Sequence, residues 1–179
     1  NTTSVVNHTA PGFEPSCLLT FGPGFLEASE SVEVSSLLSF GAVLNDASTT
    51  QKVILYGEAD NDDPTDLGSG VYSKAQGQAA LGAVQYTVEI SDFDASGFSY
   101  QASVANTDSF YYLAIRFTND PPIALFDVTI PTTGNYAETA AGFEPVFGLI
   151  SLIGGPSSRD TPHAGDVLWT IAAFDDSTI

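Results

Sequence analysis

The sequence predicts an all-β protein: an antiparallel β-sandwich, or jelly-roll-like module, that is repeated in tandem. Short runs rich in Val, Ile, Leu, Phe and Tyr are separated by Gly, Pro, Asn, Asp and Ser, a pattern typical of strands and tight turns. Apolar residues rarely recur at helical spacing. The phrase "GFEP" stands at Gly12 and again at Gly142, and 179 residues with 43% hydrophobic content are enough to bury a core.

Nine apolar runs are the predicted strands. In chain order they are "SCLLTFG", "SSLLSFGAVLN", "QKVILYG", "VQYTVEISDF", "GFSYQASVA", "SFYYLAIRF", "IALFDVTIP", "VFGLISLI" and "DVLWTIAAF". In the fourth run, the alternation of Val84, Tyr86, Val88 and Ile90 with polar residues predicts one buried face. "FGLISLI" is apolar on both faces and is predicted to be a central strand. Only "SKAQGQAALGAV" offers a helical turn or two, which its two glycines weaken.

The two "GFEP" phrases are 130 residues apart, and the same offset aligns further residues. It matches Leu19 with Leu149 and Asp46 with Asp176. A tandem module of about 130 residues is the simplest account of this match. We therefore expect a first module over 1–121, which lacks its first strand, and the first part of a homologous second module over 122–179.

Each "GFEP" phrase has a physical role at the start of a strand. Its proline fixes φ and favours an extended Glu, while its glycine permits a φ that other residues avoid. Its phenylalanine is expected to plug the core. Neither Glu14 nor Glu144 has a partner nearby in sequence, so a structural role is favoured over a catalytic one. The residues of this structural motif are Gly12, Phe13, Pro15, Gly142, Phe143 and Pro145.

Longer motifs resemble a known family. "VTIPTTGNYAETAAGFEP" within Val128–Pro145, "FDASGF" over Phe93–Phe98 and "YYLA" over Tyr111–Ala114 are similar to motifs of uncharacterised, virion-associated proteins of tailed phages and related viruses, haloarchaeal viruses among them. Those proteins are built from tandem modules. The resemblance implies a structural or host-contacting role in a virion and no chemistry.

Charge excludes one class of partner. The chain carries 22 acidic side chains against four basic ones, and its formal charge is −18. Direct binding to nucleic acid is excluded, because it requires cations that displace counterions. Two interpretations of the acidity remain open: adaptation to hypersaline water, where salt screens the repulsion, or an acidic secreted or virion surface in ordinary medium. The basic residues are Lys52, Lys74, Arg116 and Arg159.

The loop "GEADNDDPTD" is the candidate metal site. Its carboxylates offer the oxygen ligands that Ca²⁺ prefers, although Pro64 and Thr65 rule out an EF-hand. The alternative is a solvated acidic loop that holds no cation, and no other cofactor is expected. A second acidic turn, which contains Asp92 and Asp94, is predicted to be an Asx-type hairpin turn. The candidate Ca²⁺ ligands are Asp60, Asp62, Asp63 and Asp66.

Catalytic residues are scarce, and the chain is not expected to be an enzyme. Cys17 is the single cysteine and lies in an apolar run, which predicts a small buried side chain. With His8 and His163 as the only histidines, the chain lacks the parts for a zinc site or a Cys/His nucleophile pair. Trp169, the single tryptophan, is expected in core packing.

These observations predict a viral structural protein, either a capsid decoration or turret or part of a tail. We expect it in the virion or outside the cell, as a homo-oligomer that contacts other virion proteins and does not span a membrane. One alternative is an adhesin that binds host glycans through the loop-tip aromatics Tyr72, Phe110 or Tyr136. Another is a surface or filament protein of a halophile.

Overall fold

A computed structural model describes residues 3–23, 35–59, 67–80, 83–104, 110–119, 122–126, 141–145, 147–153 and 169–175. All regular secondary structure in these residues is β-strand, and the strands pair antiparallel, which confirms the predicted fold class. The strands are β1 (Val6–His8), β2 (Cys17–Pro23), β3 (Ser35–Leu44), β4 (Gln51–Ala59), β5 (Leu67–Tyr72), β6 (Gln76–Ala80), β7 (Ala83–Asp94), β8 (Gly97–Ala102), β9 (Tyr111–Ile115), β10 (Phe147–Ile153) and β11 (Trp169–Asp175).

The larger sheet has five strands in the order β5-β4-β3-β2-β9. Strands β2 to β5 follow one another as a meander, and β9 returns to pair with the free edge of β2. Cys17 is opposite Leu44 on β3 and Ile115 on β9. Because side chains alternate along each strand, this register places Phe21, Phe40 and Tyr111 on one face of the sheet.

The smaller sheet has four strands in the order β1-β8-β7-β6. Strands β7 and β8 are joined by a tight turn, in which the Asp94 carboxylate accepts hydrogen bonds of 2.7 Å from the backbone N–H and the hydroxyl of Ser96. This geometry confirms the predicted Asx-type turn. The Ser96 hydroxyl and then its backbone N–H lower the pKa of Asp94, because both bonds favour the ionised carboxylate.

The two sheets pack face to face around one main core. Leu18 and Val43 come from the five-stranded sheet, and Ile90, Phe93 and Phe98 come from the four-stranded sheet. Burial of Ile90 confirms the face predicted from the alternating pattern of β7. Cys17 is buried, as the sequence predicted, and this burial raises the pKa of its thiol. The arrangement is sandwich-like, with its core between the sheets.

Polar contacts also join the two sheets. The Gln51 amide accepts a hydrogen bond of 3.0 Å from the Ile90 N–H and donates one of 3.1 Å to the Ile90 carbonyl. The Thr20 hydroxyl donates to the carbonyl of Ala75. A Cβ atom on Gly41 would collide with that carbonyl, so this close approach requires glycine. At the edge of the sandwich, the His8 ring lies 2.7 Å from the Tyr112 hydroxyl.

Strands β10 and β11 form a separate two-stranded sheet. Phe147 pairs with Asp175, and Ile153 pairs with Trp169. The prediction that "FGLISLI" is a central strand is therefore wrong in the described residues, since β10 pairs there with β11 alone. A strand that is apolar on both faces can be buried on both faces, but its composition does not determine which strands pair with it.

Other strand predictions differ from the structure. Residues 123–126, the beginning of the "IALFDVTIP" run, are not a strand, and the rest of that run lies outside the described residues. Strand β6 occupies the segment that offered a helical turn, because pairing with β7 outweighs weak helical propensity. The module boundary between 121 and 122 stays a prediction. Within the described ranges, no helix is long and apolar enough to cross a membrane.

Candidate functional site

The first "GFEP" phrase is a tight corner between the two sheets. Gly12 has a φ of +71°, which confirms that glycine is used here for a left-handed backbone. Its N–H donates to the carbonyls of Thr9 (3.1 Å) and Ser96 (3.0 Å). Pro15 is fully buried, whereas Phe13 is only half-buried. The prediction that Phe13 plugs the core is wrong, because the turn brings Pro15 to the interior instead.

Glu14 has a structural partner. The Asn45 side-chain amide donates to a Glu14 carboxylate oxygen (3.1 Å) and to the Pro15 carbonyl (3.0 Å). The Asn45 backbone N–H donates to the Ser16 carbonyl (3.0 Å). One asparagine therefore fastens the first phrase to the turn after β3. This contact supports the structural role that the sequence favoured for Glu14.

The turn after β3 is held by Asp46. Its carboxylate accepts hydrogen bonds from the N–H groups of Ser48 (3.0 Å) and Thr50 (2.9 Å), while Thr49 has a φ of +47°. Partial desolvation raises the pKa of Asp46, but the hydrogen bonds from Thr50, Ser48 and Thr49 outweigh it, so the pKa lies below its ordinary value. The carboxylate is thus kept ionised as a turn-stabilising group.

An open cleft of about 450 Å³ lies between this turn and the chain after β9. Planar polar groups of Glu14, Asn45, Asp46 and Arg116 line it together with the ring of Phe117, which is 39% exposed. Such groups can hydrogen-bond to hydroxyl groups of a small polar ligand, while an aromatic ring packs on its apolar face. The remaining lining residues are Pro15, Ser16, Leu44, Thr118, Pro122 and Ile123.

The second "GFEP" phrase has the same left-handed glycine as the first, but its proline is not buried. Gly142 also has a φ of +71°, and Phe143 is half-buried like Phe13, so the core-plugging prediction is wrong here too. Pro145 and Glu144 are exposed. The phrase again leads into a seven-residue strand, β10. The local conformation is therefore shared by the two phrases, whereas the burial of the proline is not.

The face of the five-stranded sheet that points away from the core carries exposed apolar side chains on β9, β2 and β3. Tyr111 is 65% exposed, Leu113 is 52% exposed and Leu38 is 45% exposed. Phe21 and the half-buried Phe40 lie between them, with ring centroids 5.3 Å apart. A contiguous apolar surface of this kind is typical of an interaction site. We call these residues the outer face.

The β10–β11 hairpin exposes apolar side chains on both of its faces. Phe147 (60% exposed), Leu149 and Ile171 lie on one face by register. Ile150 and Phe174 lie on the other, where the Phe174 ring packs over Gly148. A two-stranded hairpin is marginally stable in water by itself, so these faces need a covering layer.

The predicted metal site cannot be placed in the structure. The candidate calcium ligands Asp60, Asp62, Asp63 and Asp66 lie outside the described residues, as does Tyr136. Of the residues that are described, no group of three His, Cys, Asp or Glu is placed to hold a metal ion.

Two of the loop-tip aromatics proposed for glycan binding are described. Tyr72 is buried with Val53 and Leu55, so its prediction as an exposed glycan contact is wrong. It ends β5 facing the core, because β5 pairs in register with β4. Phe110 is half-buried against Tyr100, with ring centroids 5.8 Å apart.

Sequence reasoning missed the cleft. Its components come from three separated segments, around residues 14, 45 and 117, which no local pattern connects.

Comparison of the chain with protein-family models, with curated proteins and with solved structures gave no significant match.

Proposed function

We propose that the protein is a structural component of a virus particle, a capsid decoration or turret or a tail component, which assembles through apolar faces of its β-sheets. The observation that carries this proposal is the outer face, where Tyr111, Leu113 and Leu38 remain 45–65% exposed. Exposed apolar surface of this extent favours a protein that is covered by neighbours in its working state. The motif resemblance to virion-associated proteins supports the viral setting.

The test is the composition of purified particles. We expect mass spectrometry to find the protein in particles of the virus that encodes it, in a fixed copy number relative to the major capsid protein. Electron microscopy is expected to place those copies at symmetry-related positions. Absence of the protein from washed, intact particles would overturn the proposal.

A hypersaline environment is part of this proposal. The formal charge of −18 creates repulsion within one chain and between copies. At about 1 M salt the screening length falls to roughly 3 Å, so the repulsion is largely removed. We expect the melting temperature to rise steeply between low and molar salt, measured by circular dichroism. A flat profile would leave the acidity as an ordinary surface property.

Glycan binding is the second candidate function, and the cleft beside Asn45 favours it. Carboxylate, amide and guanidinium groups next to the exposed Phe117 ring suit a neutral saccharide. We expect a signal on a glycan array that Phe117→Ala removes and that Lys74→Ala retains, because Lys74 pairs with Glu89 away from the cleft lining. No signal at high protein concentration would dismiss this candidate.

A further inference from the structure

We propose that Asn7 on strand β1 is an N-glycosylation site, whose side-chain amide carries an oligosaccharide in the mature protein. Asn7, His8 and Thr9 form the tripeptide Asn-x-Thr, in which x is not proline. This tripeptide is the acceptor sequence for N-linked sugars in secreted proteins. It also begins at Asn1, which lies outside the described residues, so we confine the proposal to Asn7.

The position of Asn7 on its strand suits a bulky substituent. Asn7 is exposed, whereas Val6 and His8 on either side of it are half-buried. His8 is opposite Phe98, which is fully buried in the main core. Because side chains alternate along a strand, Asn7 points away from that core, on the solvent side of the four-stranded sheet. Among the described strands, β1 pairs with β8 alone and forms the edge of this sheet.

The Asn7 amide is oriented by a hydrogen bond that the modification does not use. Ser99 is the cross-strand neighbour of Asn7, and its hydroxyl donates a hydrogen bond of 2.8 Å to the Asn7 Oδ1 atom. An N-linked sugar is attached to Nδ2, and the amide oxygen keeps its lone pairs. The contact with Ser99 therefore persists in the modified protein, so the fold accepts the sugar without losing a tertiary hydrogen bond.

The reaction transfers a sugar and involves no change of oxidation state. The donor is an oligosaccharide joined through its anomeric carbon to a phosphate of a carrier lipid. The Asn7 Nδ2 atom forms a bond to that carbon, the bond from the carbon to the phosphate oxygen breaks, and one Nδ2 proton leaves with the phosphate group. The product is a secondary amide that still accepts from Ser99. Thr9, which is exposed directly after β1, supplies the hydroxyl that completes the acceptor sequence.

Asn45 provides a comparison within the same chain. It is also exposed, but Asp and Ala follow it, so it is not part of an acceptor sequence. Its Nδ2 atom donates to the Glu14 carboxylate (3.1 Å) and to the Pro15 carbonyl (3.0 Å), so both of its hydrogens are engaged. A sugar at Asn45 would displace one of these bonds. We therefore expect Asn45 to remain unmodified where Asn7 is modified.

The test is peptide mapping of the protein isolated from the cells or particles that contain it. Pepsin peptides are analysed by mass spectrometry with electron-transfer fragmentation, which assigns a sugar to a single residue. We expect a hexose or hexosamine mass increment on Asn7 and none on Asn45.

Two variants of Thr9, made in the same cells, separate the acceptor sequence from exposure alone. Thr9→Ala removes the acceptor hydroxyl and leaves Asn7 in place, so we expect complete loss of the sugar mass from Asn7. Thr9→Ser retains a hydroxyl at this position and should retain the sugar. Circular dichroism of both variants checks that the sandwich is folded.

Three results would overturn the inference: an unmodified Asn7 in the isolated protein, a sugar on the Thr9 hydroxyl instead of Asn7, or a Thr9→Ala variant that keeps the sugar on Asn7. The modification and the proposed structural function can fail separately. Unmodified protein in purified particles would refute the glycosylation site and leave the structural function standing. Glycosylated protein that is absent from particles would refute the structural function and leave the site standing.

Discussion

The two "GFEP" phrases start from the same local structure and end in different environments. Gly12 and Gly142 share a φ of +71°, and each phrase leads into a seven-residue strand that pairs antiparallel with a later one. Pro15 is fully buried, whereas Pro145 is exposed. Local sequence therefore fixes the corner and the strand, while burial depends on the sheet that packs above them.

The pairing of the two hairpins also differs. Cys17 is opposite Leu44, but Phe147, its counterpart at an offset of 130, is opposite Asp175 instead of Phe174. The pairing is thus displaced by one residue. Phe174 instead pairs with Gly148, which leaves room for its ring. A one-residue slip exchanges the faces of a strand, so two similar sequences do not guarantee equivalent surfaces.

The largest expected effect is the loss of stability on truncating a core side chain, compared with truncating one on the exposed hairpin. Phe98 is fully buried and contacts the rings of His8, Tyr100 and Tyr112. Phe98→Ala should lower the free energy of unfolding by about 3–5 kcal/mol, because it leaves a cavity. Phe147→Ala should change that of the monomer by less than about 0.5 kcal/mol. Urea denaturation followed by circular dichroism measures both, and similar losses would contradict the contrast.

Two glycines give the next largest contrast. Alanine at Gly41 would meet the Ala75 carbonyl and the Thr20 hydroxyl, so Gly41→Ala should cost about 1–3 kcal/mol. At Gly148, the three atoms nearest to an added Cβ all belong to the Phe174 ring. That ring is 37% exposed and can rotate away, so Gly148→Ala should cost less than about 1 kcal/mol. The same denaturation experiment applies, and equal costs would show that Phe174 is held as rigidly as the backbone.

The paired corner glycines provide a smaller and sharper test. A non-glycine residue at φ +71° costs about 1–2 kcal/mol, and neither site has a heavy atom within 4 Å of an added Cβ. Gly12→Ala should therefore destabilise the sandwich by about 1 kcal/mol. Gly142→Ala should leave the main unfolding transition unchanged, because the hairpin is outside the sandwich core. If both variants shift that transition equally, the hairpin unfolds together with the sandwich.

The smallest effect depends on pH. The pKa of Asp94 is lowered in the folded state, so its contribution to stability is present above the ordinary carboxyl value of 3.8 and is lost as pH falls through the folded pKa. Asp94→Asn should lower the urea midpoint slightly at neutral pH and make no difference once both states are protonated. An unchanged difference between the two proteins at low pH would contradict this linkage.

Much of the fold is predictable because strand patterns are local. Val88 and Ile90 are buried by the alternation that predicted their face, and Cys17 is buried in its apolar run. Strand β6 is not predictable in this way, since its sequence "QGQAA" has little β-propensity and gains its conformation from pairing with β7. Short edge segments such as β1 similarly depend on their partner strand.

The candidate sites were less predictable for the same reason. The sequence correctly predicted that Gly12 and Gly142 adopt a backbone conformation that other residues avoid, but it wrongly predicted that Phe13 and Phe143 are buried in the core. The φ of a turn residue depends on its neighbours in sequence, whereas the burial of a side chain depends on tertiary contacts. Tyr72 lies in a polar neighbourhood of the sequence, and only its register with Val53 shows that it faces the core. The cleft beside Asn45 joins residues about 100 positions apart.

The sequence by itself determined the all-β class, the Asx turn at Asp94, the left-handed glycines and the acidic charge, because each follows from the chemistry of a few neighbouring residues. Only the tertiary structure decided that β2–β3 enters a sandwich while β10–β11 exposes both faces. Burial is a property of the contact between two surfaces, and a strand's own residues specify only one of them.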